Sequence, residues 1–107
     1  MSEKTGLTTH VLDTANGRPA AGVAITVTTP DGAVIEAVTD ADGRTEAALT
    51  PTLVDGTYEL TFDIGGYFGD ATYLGVVPVH VNLTAAMGHV HVALLVTPWS
   101  YSTYRGS

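Results

Sequence analysis

Apolar residues recur at every second position along this chain, and that period restricts what it can fold into. Between positions 57 and 64, Tyr58, Leu60, Phe62 and Ile64 alternate with Thr57, Glu59, Thr61 and Asp63. Such a repeat puts one set of side chains on one face of an extended strand, whereas a helix would need a period near 3.6. The same alternation sets Val23, Ile25 and Val27 against Ala24, Thr26 and Thr28 within residues 22–29. Residues 76–83 set Val77, Val79, Val81 and Leu83 against Pro78, His80 and Asn82. Residues 89–96 set Val90, Val92, Leu94 and Val96 against His89, His91, Ala93 and Leu95. Asn16-Gly17, Pro30-Asp31-Gly32, Asp42-Gly43 and Asp55-Gly56 supply turn chemistry between the runs. The pattern predicts an all-β antiparallel sandwich. Only Gly65–Gly75 interrupts it, and four glycines there limit that stretch to one short, weak helix.

A chain of 107 residues is expected to form one domain, residues 1–107, around a single core. Four basic residues (Lys4, Arg18, Arg44 and Arg105) stand against eleven acids, so no basic patch can form and no nucleic-acid partner is expected. With no cysteine, disulfides and thiolate chemistry are excluded. No segment reads as a signal peptide or membrane span, so a cytoplasmic protein without a membrane partner is expected. Charged residues are only 14% of the chain, which suits a surface partly covered by other copies of itself.

Four residue types stand out as chemistry-bearing. The face of 89–96 opposite the aliphatic one carries His89, His91, Ala93 and Leu95, a mixture that suits an interface or cleft better than open solvent. His10 shares a strand face with Thr8 and Leu12, which makes it half-buried at most, and alone it reads as a structural histidine. Arg44 follows the Asp42-Gly43 turn and is expected to open a short strand; alone it reads as a solvated turn arginine. Tyr101–Ser107 packs two tyrosines, Arg105 and small residues close behind the histidine strand. His89 and His91 could begin a metal site with His10 or His80, but no further ligand spacing supports one, and neither metal nor cofactor is expected. A neutral imidazole can take a proton from water, a guanidinium can hold an oxyanion, and a tyrosine can orient a heterocycle. The set suits water-driven opening of a cyclic amide or ureide.

Leu7-Thr-Thr-His-Val-Leu-Asp-Thr14, Gly17-Arg-Pro-Ala20, Thr39-Asp-Ala-Asp-Gly-Arg-Thr45, Gly56-Thr-Tyr-Glu-Leu60, His89-Val-His-Val-Ala-Leu-Leu95 and Tyr101–Ser107 together resemble the transthyretin-like proteins. The terminal Tyr104-Arg-Gly-Ser107 resembles the 5-hydroxyisourate hydrolase branch in particular, since the hormone carrier of the same scaffold lacks it. The resemblance runs through nearly the whole chain in order. It implies a sandwich of about eight strands assembled as a homotetramer, with active sites in the cleft between dimers and 5-hydroxyisourate as substrate. By the same resemblance, His10, Arg44, His91 and Tyr104 are the functional residues, Ser107 matches the family's terminal serine, and His89 supports from behind. Arg105 is expected to order the tail, away from substrate.

Two departures from the family pattern are visible. Ala93 stands where a proline is usual, and Tyr67–Pro78 is short and glycine-rich. The rival reading is a non-catalytic prealbumin-like sandwich that binds a small hydrophobic ligand or serves as an interaction module. It gives no reason for His10, Arg44, His91 and Tyr104 to occur together.

Overall fold

The computed structural model describes residues 5–106. Ser107 lies outside the described residues. Among the described residues, eight strands form two four-stranded sheets. In chain order they are β1 Gly6–Asp13, β2 Arg18–Pro19, β3 Ala24–Thr28, β4 Val34–Val38, β5 Gly56–Asp63, β6 Val76–Leu83, β7 His89–Val96 and β8 Tyr101–Gly106. One sheet has the order β2-β1-β7-β8, the other β4-β3-β5-β6.

The alternation places the core where the sequence puts it. Leu7 and Val11 of β1 with Val90, Val92, Leu94 and Val96 of β7 face Ile25, Val27, Tyr58, Leu60, Phe62, Val77 and Val79 of the other sheet, all buried. The expected sandwich is present, with one pairing the alternation does not reveal. β1 and β7 run parallel, from Gly6 beside His89 to Asp13 beside Val96, while the other strand pairs are antiparallel. A parallel pair needs a long crossover. Here the chain supplies it by building the whole second sheet between β2 and β7.

Ile64 ends the alternating run in sequence, yet it opens a short helix, α1 (Ile64–Phe68), while remaining buried. Asp63 caps that helix by accepting from the Gly66 N–H at 3.0 Å. A Cβ on Gly65 would lie 2.8 Å from the Ala71 Cβ, so a residue that weakens the helix is what lets the next loop close over it. From α1, the Tyr67 hydroxyl donates to Asp13 Oδ2 at 2.7 Å and ties the end of the second sheet to the end of β1. Burial works to raise the Asp13 carboxyl, but hydrogen bonds from Asn16 and Tyr67 outweigh it and hold the group below its ordinary value. Among the described residues no helix is long and apolar enough to cross a membrane.

The segment after Asp42-Gly43 departs from expectation. No strand opens at Arg44; the residue makes a single antiparallel bridge to His10, and Thr50 makes another to Leu7. The Asp40 carboxylate explains the tight path, because Oδ1 accepts from the backbone N–H of Asp42 at 2.9 Å and of Arg44 at 3.1 Å. The turn then lies along the part of the β1 edge that β2 does not cover, where Val11 N–H donates to the Gly43 carbonyl at 2.8 Å.

Candidate active site

The outward face of the sheet β2-β1-β7-β8 gathers the residues that the sequence singles out. Arg44 bridges His10, His10 pairs with Ala93, and Ala93 pairs with Tyr104. These four therefore form one row across neighbouring strands, each step about 4.8 Å. The next row along the same face is Thr8, His91 and Gly106. His91 thus sits diagonally beside both His10 and Tyr104, the relation that lets large side chains meet across strands. The ring centroids of His10 and His91 are 6.4 Å apart, and so are those of His89 and His91.

Exposure separates the members by role. His91 is 9% exposed and Ala93 is buried, forming a floor, while His10 is half-buried. Arg44 and Tyr104 are exposed at the two ends of the row, Tyr104 at 58%. A positive group and a phenol therefore flank two imidazoles over a small, neutral floor. The floor is small because Ala93 is an alanine.

Three features escape a reading of sequence alone. Thr8 Oγ1 lies 2.8 Å from His91 Nδ1 and 2.8 Å from His89 Nε2, so one hydroxyl links both histidines of β7. Gly43 has φ +75°, and a Cβ there would come within 2.3 Å of the Val11 carbonyl and 3.2 Å of His10 Cδ2. A Cβ on Gly106 would stand 2.5 Å from His91 Cδ2. His10 and His91 are thus each seated against a glycine. Sharing a face with His10 was the one available signal for Thr8; its contact with His91 depends on the parallel register.

Arg105, next to Tyr104 in β8, projects to the other face of the strand. With Val81, Leu83, Met87, Val90 and Val92 it lines a cleft of about 360 Å³ between β6 and β8. Of the row's residues only Tyr104 borders that cleft, which holds no histidine or carboxylate. Among the described residues no group of three His, Cys, Asp or Glu side chains is arranged to hold a metal ion.

A family model described as HIUase/Transthyretin matches residues 7–106. The chain belongs to the HIUase/transthyretin family. Within that family it is 50% identical to a 5-hydroxyisourate hydrolase of Deinococcus radiodurans, over the full length of both chains. The structure of a Klebsiella pneumoniae 5-hydroxyisourate hydrolase is similar at a TM-score of 0.82 with 32% identity, covering 94% of this chain and 98% of that one. Sea bream transthyretin in complex with thyroxine is similar at 0.80 with 31% identity, covering 94% and 93%. The two TM-scores are almost equal, so the HIUase/transthyretin scaffold does not by itself separate a hydrolase from a carrier; the side chains must.

Proposed function

We propose that this chain is a 5-hydroxyisourate hydrolase, opening the six-membered ring of its substrate to 2-oxo-4-hydroxy-4-carboxy-5-ureidoimidazoline in urate degradation. One observation carries the reading. Arg44, His10 and Tyr104 share a row, with His91 diagonal to it, on a chain 50% identical over its whole length to a hydrolase of that name. A carrier has no use for two imidazoles 6.4 Å apart, and that spacing suits one water held between them.

In the proposed mechanism His91 and His10 bind the water, and His91 takes its proton as the oxygen attacks the ring carbonyl. Arg44 binds the substrate and holds the oxyanion that forms. The carbon–nitrogen bond of the cyclic amide then breaks, the nitrogen takes that proton, and the carbonyl, still attached to the product, becomes a carboxylic acid that loses its remaining proton to solvent. Tyr104 orients the heterocycle from the far end of the row. Ser107 enters the proposal on its match to the terminal serine of the Tyr104-Arg-Gly-Ser107 motif alone. The residues act within one domain, and no step needs a metal or cofactor.

The assembly belongs to the same proposal. An exposed Tyr104 and an exposed Arg44 leave the row open on a single chain, whereas a reaction that stabilises an oxyanion gains from excluded water. Half-buried Leu12 and Leu95 continue the same face with apolar surface. A homotetramer with this face between dimers would enclose the site, and a cytoplasmic address goes with such an enzyme. The test is to generate 5-hydroxyisourate in place with urate oxidase and follow the product by carbon-13 NMR. Accelerated formation of the ring-opened ureidoimidazoline supports the reading. A decay no faster than the spontaneous one, from folded protein, overturns it.

A further inference from the structure

We infer that Thr8 and His89 set the tautomer of His91, through a hydrogen-bond chain that runs His91–Thr8–His89. The inference rests on the reading of His91 as the group that takes the proton from water. Thr8 stands opposite His91 in the parallel register, and its Oγ1 is 2.8 Å from both His91 Nδ1 and His89 Nε2. A hydroxyl has one hydrogen to give and lone pairs to accept with. At most one imidazole can accept that hydrogen, so when both bonds form at least one imidazole donates to the hydroxyl, and both can donate to its two lone pairs.

Three arrangements satisfy that condition, and the unproductive one is that in which Thr8 donates to His91. If His91 Nδ1–H donates to Thr8 and Thr8 donates to His89 Nε2, then His91 Nε2 carries a lone pair and can act as base. If the chain runs the other way, Thr8 donates to His91 Nδ1 and the His91 proton sits on Nε2, where it blocks proton abstraction. The far end fixes the productive one when His89 Nε2 accepts the hydroxyl hydrogen, because His91 Nδ1 must then be the donor. His89 is half-buried and His91 is 9% exposed, so the outer member of the chain meets solvent while the inner one is shielded. Thr8 and His89 are positioning residues: they act on the reaction through His91.

The test uses Thr8→Val, which keeps the shape and removes the hydroxyl, with Thr8→Ser as the conservative partner and His89→Phe at the far end. Nitrogen-15 NMR of the substrate-free protein reads the His91 tautomer, and steady-state kinetics read its consequence. The wild type should show one tautomer with the proton on Nδ1, and Thr8→Val should shift it toward Nε2–H. In Thr8→Val, kcat should fall roughly 10-fold or more, up to the 10²–10⁴-fold that general-base catalysis contributes, with KM little changed. Thr8→Ser should restore both readouts. His89→Phe should lower kcat, and the double variant with Thr8→Val should be little worse than either single one. An unchanged His91 tautomer in Thr8→Val overturns the inference, as does a kcat loss that serine fails to rescue. An inactive wild type would contradict the hydrolase assignment instead, and the NMR arm would still judge the hydrogen-bond chain.

Discussion

Replacing Gly106 with alanine should disable the site while leaving the sandwich intact. The added Cβ would lie 2.5 Å from His91 Cδ2, 3.3 Å from Cγ and 3.6 Å from the His91 Cβ. Carbon atoms settle at about 3.5–4.0 Å, so the ring must withdraw by roughly 1 Å. Thr8 Oγ1 lies 2.8 Å from Nδ1 on the β1 side, opposite Gly106 on the β8 side, so a withdrawal of that size drives Nδ1 inside contact distance and the ring must turn out of that bond's geometry. Displacing a catalytic group by about 1 Å costs on the order of 10²-fold in rate. Holding the ring off its preferred rotamer costs only about 0.5–1.5 kcal/mol. At about 4–8 °C per kcal/mol for a domain near this size, the melting temperature should fall by less than ~12 °C. Ultraviolet decay of 5-hydroxyisourate, corrected for the spontaneous reaction, gives the rate, and circular dichroism gives the melting curve. Gly75→Ala is the control, because a Cβ there meets nothing within 4 Å; both its readouts should stay near wild type. A Gly106→Ala protein with wild-type kcat would refute the packing argument.

Other expectations follow from the same geometry. Arg44→Ala should weaken substrate binding and lower kcat together, in steady-state kinetics, with an unchanged melting curve because the side chain is exposed. Tyr67→Phe removes the donor to buried Asp13 and should cost about 1–3 kcal/mol in urea unfolding, without loss of kcat at a temperature where both proteins are folded. The Asp13 carboxyl is held below its ordinary value of 3.8 in the fold, so its stabilising effect is complete above that pH and is lost as pH falls through the folded value. A melting series from pH 6 to pH 2 should therefore fall less steeply at its acid end in Asp13→Asn, from a lower plateau. If the site is enclosed between dimers, dilution to monomers should abolish activity while the β-sheet dichroism persists; activity in a proven monomer would contradict the enclosure.

How far the molecule was legible in its sequence depends on the physics each feature uses. The core was legible because burial on one face of a strand is written as alternation, and Tyr58, Leu60, Phe62, Val77 and Leu94 lie where the period puts them. Turns at Gly17, Gly32, Gly43 and Gly56 were legible because each glycine takes a positive φ. The parallel β1–β7 pair was not, because alternation fixes which face a residue takes and says nothing about the neighbouring strand. Hence His10, Arg44, His91 and Tyr104 could be singled out, while the row that unites them, and the bond from Thr8 to His91, could not. Arg44 shows the limit in another way: a turn signal predicts where the chain reverses, yet Asp40 holds the next residues too tightly for a strand to open.

The central claim is that the outer face of β1, β7 and β8, with Arg44 at its edge, is a hydrolytic site built around His91. Its most direct measurement is the rate of 5-hydroxyisourate decay with wild type and with His91→Asn side by side, each shown to be folded and equally assembled. The account predicts clear acceleration by wild type and a loss of roughly 10²–10⁴-fold in the variant. A His91→Asn protein as active as wild type would contradict it.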